Sequence, residues 1–171
     1  LTQQGMLMKR GMATSRLYMS QDDMGMGLKS CVAVYLLELV RLLLQYKWGT
    51  IYRQEWFWRM EEMTKRNGKG VWIREIEKVL RRFNTSLEWL MGIIAVRDEE
   101  MESIRQNEEM EERDKNMMLR AKKMKSMADV LEEVAVVIDM HFFVEFSQTK
   151  SSTFLKKVMD NQRTIDMTLL K

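Results

Sequence analysis

The chain has 171 residues, of which 46% are hydrophobic and 31% charged, a mixture typical of a globular protein and not of a disordered one. This length is enough for one domain with a hydrophobic core. The formal net charge of +3 is only mildly basic and does not by itself indicate nucleic-acid binding. We expect neither a membrane span nor a signal peptide. A chain that starts at Leu1 is expected to be a fragment, a processed product or an excerpt of a longer reading frame.

The composition predicts an all-α fold. The sequence has no proline and only eight glycines, and its long stretches of Leu, Met, Glu, Lys and Arg are rich in helix formers. It lacks the regularly spaced turn signals of a β-sandwich or barrel. We therefore expect one domain overall, a multi-helix bundle that contains a long, charged, coiled-coil-like helix and an irregular N-terminal segment.

Residues 1–30 are the predicted irregular segment. Glycines and the polar run Ser20–Asp23 interrupt any helical pattern there. A short extended piece is expected near Leu17–Met19.

Residues 31–96 are the predicted helical core. Ser30 is placed to cap a helix that runs from Cys31 to about Trp48 and is apolar almost all round. A second helix is expected over residues 51–65, and a turn then precedes an amphipathic helix from Val71 to Phe83. Residues 84–86 supply a break and the cap of the next helix.

Residues 97–146 are predicted to form a long heptad-like helix, either straight or folded back as a hairpin. Eight acidic residues lie between Asp98 and Glu112, and six basic residues lie between Arg113 and Lys125. Seven-residue steps separate Met110, Met117, Met124, Leu131 and Ile138. This spacing favours packing along a partner helix, with a solvated charged face as the open alternative.

Residues 147–171 are expected to contain a linker and a C-terminal amphipathic helix.

The residues that could carry catalysis or bind a metal are few. Cys31 is the only cysteine and is expected to be a buried thiol; His141 is the only histidine and is expected to be packed among apolar residues. A zinc site is not expected from one of each. No phosphate-binding glycine loop or nucleophile elbow is present. We therefore predict no enzymatic activity of the chain by itself and no cofactor or metal.

A basic segment with aromatic residues before it is the candidate binding site. Seven basic and two acidic residues lie between Lys65 and Arg82. Helical spacing places four of them on one flank of the amphipathic helix: Arg74, Lys78, Arg81 and Arg82. Cations interleaved with aromatics provide phosphate contacts and stacking surfaces. The alternative is a solvated surface above an aromatic core.

The N-terminal residues resemble a known family. Ala13-Thr14-Ser15-Arg16-Leu17-Tyr18, followed by Gly25-Met26-Gly27-Leu28 and a polar residue before a helix, is similar to a signature that follows the palm of LINE-type (non-LTR) retrotransposon reverse transcriptases. The resemblance covers residues 1–45. It implies a helical thumb that grips a primer–template duplex, with the catalytic aspartates upstream. Arg16 and Tyr18 are carried over as nucleic-acid contacts, whereas Lys29 is added on local charge.

Two functions remain open on the sequence. The first is non-catalytic binding of RNA or an RNA–DNA duplex by a thumb-like domain, which implies an intracellular and, with the family resemblance, nuclear location. The second is a helical scaffold that self-associates or binds a partner helix through Met110, Met117, Met124 and Leu131. A remnant of a mobile element without present function is the third possibility.

Overall fold

The computed structural model describes residues 14–49, 51–67 and 72–148, and within them the predicted all-α fold is confirmed. These residues contain no strand. They form α1 (Thr14–Tyr18), a 3-10 turn (Gln21–Asp23), α2 (Cys31–Lys47), α3 (Ile51–Asn67), α4 (Trp72–Arg82), α5 (Leu87–Arg105) and α6 (Glu112–Ser147). Apart from residues 147 and 148, the segment 147–171, with its predicted linker and C-terminal amphipathic helix, lies outside the described residues.

The chain divides into two compact units. The described part of the first, the N-terminal unit, comprises residues 14–30 and 139–148. The second, the helical core, comprises the described residues of 31–138.

The helical core is built on α2, α3 and α4, which pack against one another, while α4 also contacts α5. Their apolar residues recur at steps of three and four, so each helix buries one stripe. Among the described side chains of these three helices, the buried ones are Ala33, Leu36, Leu39, Val40, Leu43, Leu44, Phe57, Met60, Ile73, Ile76, Val79 and Leu80. Burying one such large side chain contributes about 1.5–3 kcal/mol.

The outer face of α2 corrects one prediction. The helix is apolar almost all round, but Val34, Tyr35 and Leu42 are exposed. Cys31, in its first turn, is exposed as well, so the expected buried thiol is wrong. Only the stripe that faces α3 and α4 is covered.

The connection from α4 to α5 confirms the predicted break and cap. Asn84 adopts a left-handed backbone conformation with φ 55°, which asparagine tolerates better than most residues. Ser86 then caps α5: its side-chain oxygen accepts a hydrogen bond from the Trp89 amide at 3.1 Å.

Residues 97–146 form a hairpin and not a single helix. α5 ends at Arg105, and in the connection the Asn107 Oδ1 accepts a hydrogen bond from the Glu109 amide at 3.1 Å. Arg97 pairs with Glu133 and Glu100 pairs with Lys122. Later positions of α5 thus pair with earlier positions of α6, so the two helices are antiparallel.

The C-terminal end of α2 is fastened to α5 by one carboxylate. Trp48 is 6% exposed, and its Nε1 donates to Asp98 Oδ1 at 2.6 Å. Lys47 Nζ lies 2.9 Å from Asp98 Oδ2. The Asp98 carboxylate therefore accepts the hydrogen bond of the buried Trp48 indole and also forms an ion pair with Lys47.

The N-terminal unit contains a helix where the sequence predicted an extended piece near Leu17–Met19. After the 3-10 turn, the chain returns along α1, and three amides of the return donate to α1 and the residue that follows it. Met26 N donates to Arg16 O, Gly27 N to Met19 O and Leu28 N to Leu17 O, each at 2.9 Å. Leu17 and Met19 are buried. The apolar residues that looked like a strand are thus the inner face of a short helix.

Candidate nucleic-acid interface

The outward face of α4, defined here as Arg74, Lys78, Arg81 and Arg82, is where the structure brings the predicted basic residues together. All four side chains are exposed. At about 100° per residue they lie about 120–160° around the helix axis from the completely buried Ile76. The amphipathic pattern thus anchors one side of the helix in the core and leaves four cations on the other.

Three of the four cations on this face make no ion pair with the described residues. Arg81 Nη2 lies 2.9 Å from Glu77 Oε1, one turn earlier, but its side chain remains 74% exposed. Arg81 and Arg82 also lie in the last turn, where cations interact favourably with the helix dipole. Part of this charge therefore also stabilises α4, while all four side chains remain exposed to an external anion.

The aromatic residues of the predicted segment lie mostly on α3. Trp56 and Trp58 are 52% and 61% exposed. Trp56 stacks on Tyr46 of α2, with ring centroids 5.5 Å apart, and Trp58 meets the buried Phe57 edge-on at 5.6 Å. The two tryptophans are held by neighbouring rings and keep much of their surface open, as base-stacking residues do.

The residues carried over from the family signature have contacts within the N-terminal unit. Arg16 Nε donates to the Met24 carbonyl at 3.2 Å, across the 3-10 turn. The Tyr18 ring lies 5.2 Å from the Phe142 ring. Lys29 is exposed at the approach to α2. The first two side chains therefore hold the unit together, and their contact with nucleic acid stays a prediction.

The structure explains why glycine is needed at two positions of the same signature. A Cβ atom on Gly25 would lie 2.3 Å from the Met19 carbonyl oxygen, and Gly27 has a φ of +67°. The Gly-x-Gly spacing is thus required by the close return of the chain along α1.

The predicted partner-interface residues do not share one surface. Met117 and Met124 on α6 are 68% and 75% exposed. Met110 lies in the α5–α6 connection and is half-buried, as is Leu131. The heptad seam is therefore open only in the first half of α6.

The positions of the buried residues on α6 explain why the heptad residues are exposed only in its first half. The buried residues recur at every fourth position: Ser126, Val130, Val134, Ile138, Phe142 and Phe146. Each step of four advances about 40° around a helix, whereas a heptad stays on one side. The buried stripe and the heptad seam therefore lie on different sides of α6 near Met117 and coincide at Ile138.

A cleft of about 510 Å³ between α5 and α6 is a feature that sequence reasoning missed. Trp89, Val136 and Val137 line it, together with Arg97 and the carboxylates of Asp129, Glu132 and Glu133. Because Arg97 is already paired with Glu133, the lining is net negative and disfavours phosphate. The hairpin creates this cleft, and a single-helix prediction could not have found it.

The described residues contain no group of three or more His, Cys, Asp or Glu side chains arranged to hold a metal ion. None of their helices combines the length and the apolar character needed to cross a membrane. His141 is half-buried, with its ring 5.5 Å from that of Phe142.

Comparison of the chain with models of known protein families, with curated proteins and with solved structures finds no match. The assignment of a function therefore depends on the residues and surfaces described above.

Proposed function

We propose that the chain is a non-catalytic, helical nucleic-acid-binding domain that holds the phosphate backbone through the outward face of α4. The observation that carries the proposal is that four exposed cations lie on one face of a helix whose opposite face is buried at Ile76 and Leu80. Cations held on a rigid helix neutralise phosphates without reading base sequence.

The family resemblance indicates which kind of nucleic acid the chain would bind. A LINE-type thumb grips a primer–template duplex, so we propose an RNA–DNA duplex as the first ligand and single-stranded RNA as the second. On the same basis we propose a nuclear site of action. The exposed Trp56 and Trp58 favour additional stacking on unpaired bases, where each stacked base contributes about 1–3 kcal/mol.

The test is fluorescence anisotropy with a labelled RNA–DNA hybrid and a labelled single-stranded RNA. The test variant changes Arg74, Lys78, Arg81 and Arg82 to Gln. The matched control changes Arg113, Lys115, Arg120 and Lys125 of α6 to Gln, which removes the same charge elsewhere. Binding lost in the first variant and kept in the second supports the proposal. Equal loss in both would mean that total charge, not this face, holds the ligand.

A second candidate function is that of a helical scaffold that self-associates or binds a partner helix. It is favoured by the exposure of Met117 and Met124, since large apolar side chains on an outward helix face are typical of interfaces. Sedimentation of the full chain tests self-association, and binding of synthetic helical peptides tests the partner helix.

A further inference from the structure

The first half of α6 has an outward apolar seam, defined here as Met117, Ala121, Met124 and Ala128. All four are exposed and lie about 120–180° around the helix from the buried Val130. Their spacing alternates four and three residues, so large and small side chains occupy the two seam positions of a heptad. The alanines let a second helix approach closely between the methionines.

The flanks of this seam carry positive charge. Arg113 and Arg120 lie on one side and Lys125 on the other, and all three are exposed. Nearby, Lys122 is paired with Glu100 of α5. Asp114, the only acidic residue between Arg113 and Lys125, lies in the first turn of α6, where the helix dipole favours an anion.

These charges disfavour a second copy of the chain as the occupant. Suppose that two copies of the chain pack the exposed seam of one against the exposed seam of the other. Arg120 and Lys125 of each copy then lie beside the same cations of the other copy. Like charges placed across an interface are unfavourable. A shifted register would have to use Ile138, which is only 4% exposed.

We propose that this seam binds an amphipathic helix of a different protein, with small and large apolar residues in its own seam and Glu or Asp on its flanks. The proposal rests on the second candidate function and names the partner chemistry of that surface. The apolar seam between the cations favours a helix over nucleic acid, because phosphates gain nothing from contact with methionine and alanine side chains.

Two synthetic helical peptides test this with the full chain. They share one Leu/Ala heptad seam and differ only at the flanking positions, which are Glu in one and Lys in the other. Fluorescence anisotropy is expected to show micromolar binding of the Glu-flanked peptide, weakened by salt, and binding of the Lys-flanked peptide weaker by about tenfold or more. Equal binding of the two, or no binding of either, would overturn the proposal.

Variants separate the seam from its flanks. Met117→Gln with Met124→Gln is expected to lose the Glu-flanked peptide, whereas Met63→Gln, at a 54% exposed methionine of α3, is not. Replacing Arg113, Arg120 and Lys125 by Glu is expected to reverse the preference toward the Lys-flanked peptide. A preference that stays unchanged after this replacement contradicts the charge argument.

Further outcomes distinguish this proposal from the others. The α4 variant described above is expected to keep peptide binding, so loss of nucleic-acid binding leaves this proposal standing. Sedimentation is expected to show a monomer at tens of micromolar. A dimer without peptide binding would support self-association and overturn the proposal. Displacement of the Glu-flanked peptide by an RNA–DNA hybrid would instead make the seam part of a nucleic-acid surface and also overturn it.

Discussion

Gly25 and Gly27 show how the N-terminal unit depends on single residues. A Cβ on Gly25 would be 2.3 Å from a backbone oxygen, a clash that only a backbone shift relieves. At Gly27 the neighbouring side chain is 3.0 Å away, and the left-handed φ is the larger constraint. Both glycines therefore serve the fold of the return along α1, which a sequence signature alone does not reveal.

We expect Gly27→Ala to lower the free energy of unfolding by about 1–2 kcal/mol, because a left-handed backbone disfavours a residue with a Cβ. Gly25→Ala should cost more. Gly92→Ala is the control: no atom lies within 4 Å of the added Cβ, in the exposed middle of α5. That change is expected to stabilise by about 0.5–1 kcal/mol. Urea unfolding measures all three, and a neutral Gly27→Ala would contradict the assigned conformation.

Asp98 is the second residue with a defined energetic role. Asp98→Ala leaves the buried Trp48 Nε1–H without its acceptor, so we expect a loss of about 1–3 kcal/mol in the free energy of unfolding. Asp98→Asn keeps an acceptor oxygen and removes only the pair with Lys47, so its cost should be smaller. Two variants of equal stability, measured by chemical denaturation, would mean that the indole bond contributes nothing.

At the scale of elements, the sequence predicted well wherever a long periodic helix ends in a strong signal. The bounds of α2, α3 and α4 lie within two residues of the prediction, and Ser86 caps α5 as expected. The helix α1 was missed, and the choice between a straight helix and a hairpin over residues 97–146 was left open. α1 is too short for helical periodicity to be visible. The end of α5 at Arg105 has no glycine or proline, and Asn107, which forms the local turn, was the only signal.

The ion pairs of the hairpin also predict a pH dependence. Hydrogen bonding to Lys122, and then its charge, lowers the pKa of Glu100 in the folded chain. A carboxyl group with a lowered folded pKa adds stability above its unfolded pKa and loses it as the pH falls through the folded pKa. Glu100→Gln should therefore lower the Tm slightly at neutral pH and leave it unchanged in strong acid.

Glu99→Gln is the control for that measurement. Glu99 is exposed and makes no ion pair with the described residues, so its replacement should leave the Tm unchanged at both pH values. Because the Glu100 side chain is 48% exposed, the expected difference is small and decreases with added salt. If Glu100→Gln lowered the Tm more in acid than at neutral pH, the pH dependence would be opposite to the one predicted.

At the scale of the whole molecule, charge distribution matters more than net charge. The formal charge of +3 conceals an acidic run from Asp98 to Glu112, a basic run from Arg113 to Lys125 and the four cations of α4. The sequence located these runs, and helical periodicity predicted the common face of Arg74 and Lys78. It could not show that the chain forms two units or that the buried stripe of α6 leaves Met117 exposed, because both depend on contacts between distant residues.

The salt dependence of RNA–DNA hybrid binding is the most direct test of the central claim. Each phosphate contact adds about 0.9 to the negative slope of log K against log salt, so four contacts predict a slope of about −3.6 from this face. Affinity should then fall about a hundredfold between about 50 and 200 mM salt. The variant with Gln at Arg74, Lys78, Arg81 and Arg82 should lose that part of the slope. An identical slope in the variant would show that α4 does not hold the backbone.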